Sequence, residues 1–470
     1  MESKRFRVLA RCLIGLTLLV TGIVAGGLNT AHAATITVTS GADSGTGTLR
    51  AALALAASGD TINFDPSITL VELTSAALAI NTGVTINGPG ADVLTIRRSS
   101  AGGTPSFRVF SIQPGASQTV SISGLTISGG NATPGGGISF TGAAGSVLNL
   151  TRVAVVGNDA MWGGGIDATG NQQSSVRIDS STISGNTTNL GVSCSFCNGA
   201  GMKAEVPTTI VNSTFSGNIS GDNAGGIKVD SAVTIINSTF VNNSANGAGG
   251  GIHVVRFNNN PNLVIKNTLV SGNTHGAGKH QCNVETNFTT ISVNQNNLIE
   301  DGSCNFLWAS GAISGSATNF LSGDPLVGAL AYNGSATRTH GLGAGSPALG
   351  SGDGTVCSSA PVGGLDQRGV IRPSVCSIGA FEGTLSAPTT TAAPTTTATP
   401  TTTSVPGSSL TDSGSSATTA PSVTTVAETV VSSPNLPATG RGSDSFVVVA
   451  LMVLACGGVL MWRRRPSTNG

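Results

Sequence analysis

Alternating apolar and polar residues recur along the middle of the chain, between residues 120 and 272. Six stretches carry the pattern: VSISGLTISGG from Val120, LNLTRVAVVGN from Leu148, VRIDSSTISGN from Val176, TIVNSTFSGN from Thr209, TIINSTFVNN from Thr234 and LVIKNTLVSGN from Leu263. Their last residues are Gly130, Asn158, Asn186, Asn218, Asn243 and Asn273, so successive copies are 28, 28, 32, 25 and 30 residues apart. A period of two points Ile122, Leu125 and Ile127 inward, and likewise Ile235, Ile236 and Phe240 after a turn shifts the phase. Each copy holds two or three strands of three to five residues, too few to bury an apolar face alone. Stacked copies bury a continuous one. The pattern predicts an all-β chain wound as a parallel β-solenoid, each strand paired about 4.8 Å from the same strand of the next coil.

The recurrent Asn residues fit that arrangement. Asn tolerates left-handed backbone at a turn, and its amide can bond to the Asn of the next coil. Asn158, Asn186, Asn218, Asn243 and Asn273 are therefore read as a structural ladder. Between the copies lie GGGISF at Gly135, GGGIDA at Gly163, GAGMKA at Gly199, AGGIKV at Ala224 and GGGIHV at Gly249. These Gly-Gly-Ile elements read as bends where backbones of adjacent coils approach closely. Upstream, a helical pattern over residues 49–57, with Thr48 as N-cap and Gly59 as stop, predicts a short helix closing the first coil.

Composition narrows the partners. Only 9% of residues are charged and the net charge is zero, whereas soluble domains usually carry about 25% charged residues. The body has no basic tract, which argues against nucleic-acid binding. Eight cysteines are present. Cys12 and Cys456 fall in apolar terminal runs, which leaves Cys194, Cys197, Cys282, Cys304, Cys357 and Cys376. Proximity favours Cys194–Cys197, Cys282–Cys304 and Cys357–Cys376 as disulfides among the 15 possible pairings. No second CxxC or His pair completes a four-ligand site with Cys194 and Cys197. The sequence predicts no metal and no cofactor.

Both ends of the chain carry targeting features. Lys4, Arg5, Arg7 and Arg11 precede an apolar stretch, and AHA at residues 31–33 offers a small-x-small cleavage site. Residues 1–33 are read as a secretion signal cut between Ala33 and Ala34. From residue 385 to 435 the chain turns to Thr, Pro, Ala and Ser, a composition that predicts a disordered stalk reaching up to roughly 150 Å. Next come LPATG at residues 436–440, an apolar run at 446–462 of transmembrane-helix length, and the basic tail at 463–470.

Leu436, Pro437, Ala438, Thr439 and Gly440 resemble the sorting signal of sortase substrates. The resemblance implies cleavage between Thr439 and Gly440, covalent attachment to peptidoglycan, and residence on a Gram-positive cell wall. The membrane is met only through the C-terminal helix, before cleavage. SGTGTLRAALALAASGDTINF, VTINGPG and the GGGI coils resemble secreted right-handed parallel β-helix proteins related to polymorphic outer-membrane proteins and bacterial adhesins. That resemblance implies a β-helix over residues 34–320. DPLVG, GSPAL, DQRG and CSIGAFE resemble the choice-of-anchor domain that follows such helices, here residues 321–384. Leu349 and Gly350 depart from it, standing where an Asp is often found. Asp366 and Arg368 of DQRG are read as an ion pair fixing this terminal domain beside the Cys357–Cys376 bridge.

Two functional classes follow. The first is a surface protein of the adhesin type, or a module that binds glycan or host matrix. The second is a polysaccharide lyase or glycoside hydrolase with carboxylates on the β-helix face. For the second, Asp167, which follows a Gly-Gly-Gly-Ile, and Arg177 with Asp179 on the next strand are the catalytic candidates. No motif of the pectin-degrading families is present, and the sparse acids read mainly as solvated turns. The sequence thus favours binding over catalysis.

Overall fold

The computed structural model describes residues 33–188, 198–255, 261–276, 278–279, 281–285, 290–303 and 316–383, all in the first of two compact units of the chain. Of the expected secretion signal at 1–33 only Ala33 is described, and Cys194, Cys197, Cys304, the expected stalk at 385–435, the LPATG motif at 436–440, the apolar run at 446–462 and the basic tail at 463–470 lie outside the described residues. No helix among the described residues is long and apolar enough to cross a membrane.

The chain winds as a right-handed parallel β-helix of about nine turns. A representative coil runs through Thr119–Ser123, Thr126–Ser128, Asn131–Ala132 and Ile138–Gly142, one strand on each of four faces, before Val147–Thr151 starts the next. Among the described residues the first face has eleven strands, the second nine, the third seven and the fourth eight. Register along the first face pairs Val120, Leu148, Val176, Thr208, Val233 and Leu263 in turn. The coil lengths are thus the 28, 28, 32, 25 and 30 residues of the sequence repeat.

Strand alternation stacks like on like. Ile62, Ile86, Ile122, Leu150, Ile178, Ile210, Ile235 and Ile265 form one buried column. On the second face Val71, Ile96, Ile127, Val155, Ile183, Phe215, Phe240, Val270 and Ile299 form another. Within it the Phe215 and Phe240 rings stack at 4.7 Å. Each such side chain contributes about 1.5–3 kcal/mol by leaving water, which suffices only because the column is continuous. Ile122, Leu125, Ile127, Ile235 and Phe240 point into this core, but Ile236 does not. It lies outside with Val211 and Val362, because a strict period of two turns it away and the terminal segment then covers it.

The asparagines Asn158, Asn186, Asn218, Asn243 and Asn273 are joined amide to amide, Nδ2 donating to the next Oδ1 at 3.0, 2.9, 2.8 and 2.8 Å. The row ends on Gln281, whose Oε1 accepts from Asn273 Nδ2 at 2.7 Å. Left-handed backbone falls one residue earlier than expected, at Gly157, Gly185, Gly217, Asn242 and Gly272. The preceding residue makes the bend, which leaves each ladder Asn free to direct its side chain beneath it. At the Gly-Gly-Ile corners a Cβ on Gly137 would stand 2.7 Å from the Gly165 carbonyl oxygen, so only glycine fits between coils there.

The early helix spans Leu49–Leu55, with Thr48 Oγ1 accepting from Ala51 N–H, and it buries Leu49 and Ala52 against the first coils. It stops short of the expected residue 57. Ala56 is extended, and Asp60 takes the Ala57 N–H at 2.8 Å while also binding the Ala34 N–H at 2.7 Å.

Candidate functional site

After the last coil the chain folds back along the outside of the stack. A hairpin of Val327–Ala331 and Thr339–Leu342 and a helix, Gly354–Ser358, lie in this terminal segment, residues 321–383. Its Leu342, Ala348, Ile378 and Phe381 pack on Val241, Leu269 and Leu298, which belong to the second face. The Cys357–Cys376 disulfide sits where the Asn237 and Asn267 amides meet the segment. Cys282 is also disulfide-bonded; its partner lies outside the described residues.

The second face presents a row of hydroxyls outward because threonine and serine recur at its polar positions. Thr95, Thr126, Ala154, Thr182, Thr214 and Thr239 stack in register, with Ser128, Val156, Ser184, Ser216 and Val241 beside them. The terminal segment uses the later members. Thr182 donates to the Arg338 carbonyl at 2.6 Å, Thr214 to Gln367 Oε1 at 2.7 Å, and Thr239 Oγ1 accepts the Ala380 N–H at 2.9 Å. Gln367 Nε2 returns hydrogen bonds to Thr182 and Thr337. His340 donates from Nδ1 to the Gly328 carbonyl at 2.7 Å, so its Nε2 accepts from Ser216 at 2.9 Å. Burial pushes this imidazole below its ordinary value, and the Gly328 carbonyl opposes the shift.

Asp366 and Arg368 form the ion pair at 2.7 Å. The guanidinium also lies over Phe381 and donates to the Glu382 carbonyl. With no exposed side-chain surface on Asp366, the pair clasps the segment together and faces no ligand. Gln367 between them gave no sequence signal, yet it is the residue that reaches the β-helix.

Where the terminal segment ends, the hydroxyl rows run on uncovered. Tyr332 and Arg338 overhang this edge, the guanidinium 4.9 Å from the ring centroid. With Asp92, Thr95, Thr126 and Ser128 they enclose a cleft of about 280 Å³. It offers an aromatic face, a cation, a carboxylate and several hydroxyls. Tyr332 is the only tyrosine of the chain and is half exposed.

A second concentration of polar groups lies on the outside of the fourth face. Ser139, Asp167, Lys203, Lys228 and His253 follow one another in register. Lys203 Nζ stands 2.6 Å from Glu205 and 3.7 Å from Asp167, an ion-pair but not a hydrogen-bond distance, and lies 5.7 Å from the Trp162 ring centre. Asp167 is 1% exposed. Burial pushes its carboxyl up to about 6 against the pull of Lys203; Glu205 adds to the rise and Arg108 opposes it. Burial also raises Asp230 although Lys228 binds it at 2.7 Å.

Arg177 and Asp179 stand elsewhere. They lie on the first face, paired with each other, and Arg177 also reaches the Pro361 carbonyl. The fold does not bring them to Asp167. Among the described residues no three His, Cys, Asp or Glu side chains are grouped to hold a metal ion. The architecture defines the class, a right-handed parallel β-helix. No family model, curated protein or solved structure matches the chain.

Proposed function

We propose that this is an exported β-helix surface protein, attached to a Gram-positive cell wall by sortase at Thr439, that binds glycan or matrix saccharide at the cleft under Tyr332. The observation that carries the binding reading is the cleft itself. The hydroxyl row that the terminal segment uses for docking continues past its edge, beneath an aromatic ring and a guanidinium. Sugars are recognised by that combination, because a ring face covers their C–H surface while hydroxyls and charged groups meet their O–H groups. The sorting motif, apolar run and basic tail support the address, and peptidoglycan is the covalent partner it implies.

The test is retention of the full-length chain on a panel of wall and matrix glycans, scored together with new reducing or unsaturated ends. Retention without cleavage, weakened about tenfold or more in Tyr332→Ala, is the expected result. Cleavage that disappears in Asp167→Asn would instead make the fourth face the active site of a lyase or hydrolase.

A further inference from the structure

The third face begins later than the others. Its edge strand is Asn131–Ala132, whose Asn131 N–H is taken by the Phe107 carbonyl at 2.9 Å. The earlier coils contribute no strand there among the described residues, and a recess of about 610 Å³ opens at that edge. Such a volume falls in the range of small-molecule sites, about 300–1,000 Å³.

The lining of the recess includes Ala77, Ala132 and the polar side chains of Ser106, Arg108, Asn131 and Thr133. Among the described residues, the Ser106, Asn131 and Thr133 side chains have no hydrogen-bond partner, and the Arg108 guanidinium has neither a hydrogen bond nor an ion pair. The neighbouring arginine behaves differently. Arg98 donates to the Pro105 and Thr104 carbonyls at 2.7 Å each and lies 5.6 Å from the Phe107 ring centre, which fixes one wall. Arg108 is half-buried. Burial lowers its pKa, and Asp167 attracts it without coming within ion-pair distance. A guanidinium withdrawn from water and given no partner is costly, whereas a carboxylate can satisfy it with two parallel charge-assisted hydrogen bonds.

We infer that this recess is a binding site for a carboxylate-bearing sugar, the carboxylate on Arg108 and the sugar hydroxyls on Asn131, Ser106 and Thr133. The inference rests on the reading of the protein as a saccharide binder, but not on the Tyr332 cleft. One anionic group plus several hydroxyls matches one guanidinium, one carboxamide and two hydroxyls, with Ala77 and Ala132 in the apolar part of the lining. A bare inorganic anion could meet Arg108 and the donors beside it, but it would leave most of a recess of about 610 Å³ unfilled.

Calorimetric titration of the full-length chain with trimers of galacturonate, glucuronate and mannuronate, a neutral galactose trimer and inorganic phosphate tests it. At least one acidic trimer is expected to bind while the neutral trimer and phosphate do not. Arg108→Gln should weaken binding roughly tenfold to a hundredfold, the loss of a charged hydrogen-bonded pair. Arg108→Lys, which keeps the charge but not the fork, should fall between. In the Tyr332→Ala background an acidic trimer should still bind, and adding Arg108→Gln should weaken that remaining binding by the same factor. Thermal melts equal to wild type establish that the variants are folded. The site is refuted if no acidic trimer binds, if phosphate binds as tightly, or if folded Arg108→Gln binds like wild type. Neutral glycans still held through Tyr332 would in those cases leave the surface-binding reading standing.

Discussion

Asn218 is bonded on both sides. Its Nδ2 donates to Asn243 Oδ1 and to the Ile183 carbonyl, and its Oδ1 accepts from the amide and backbone N–H of Asn186. Truncation at the middle of such a row strands groups in two coils, in a core where water does not replace them. Asn218→Ala is expected to cost about 3 kcal/mol. Asn158→Ala, at the end where Oδ1 meets only the Gly130 N–H, should cost less. Urea unfolding of both variants checks the order, and equal losses would mean that the bonds do not act as a row. The ladder was legible because every copy spells Asn at one phase. Its terminus at Gln281 was not, since that residue enters after a short hairpin that breaks the spacing. Asp167 stood out through its Gly-Gly-Gly-Ile, but its burial depends on what neighbouring coils place around it. Arg108 carries no pattern at all, and only the missing strand of the third face gives it a recess.

The terminal segment is an element held by polar contacts as much as by its small apolar cluster. His340 is part of that hold, neutral between Gly328 and Ser216. In the docked state its pKa lies below the ordinary 6.5, to which it returns on release. Below pH 6.5 the released state therefore binds more protons, and docking should be firm above that pH and weaken as pH falls toward the docked value. Limited proteolysis of residues 321–383 should accordingly be faster at pH 5.5 than at pH 7.5. His340→Gln should flatten the difference; an unchanged slope in that variant would assign the effect to another group. The ion pair of Asp366 and Arg368 was readable from adjacency in sequence. Gln367 was not, because its partners Thr182 and Thr214 lie 185 and 153 residues away and no spacing rule connects them. The misplacement of Ile236 has the same origin, since its cover, Val362, comes from this segment.

For the molecule as a whole, the repeat makes length adjustable. Leu148 stands in register with Val176, so deletion of residues 148–175 joins Val147 to Val176 and removes one 28-residue coil. Asn186 would then take the place of Asn158 beside Gly130. The shortened chain should keep its far-ultraviolet circular dichroism per residue and melt a few degrees lower, while deletion of residues 148–161 alone should not fold. If the half-coil deletion folded equally well, the coils would not be the cooperative units. Coil length was legible because hydrophobic spacing is repeated in six copies, whereas the full count of about nine turns and the side on which the chain leaves the stack were not. Gly379 and Ala380 bond to Asn267 and Thr239 on the flank, and Phe381 is buried there. Tension drawn through the chain beyond residue 383 thus enters from the side. Coils pulled from the end peel one ladder at a time, but a load brought in along this flank stresses bonds to several coils together. The docked segment is in that sense a mechanical splice, one that resists shear before any coil is asked to unwind.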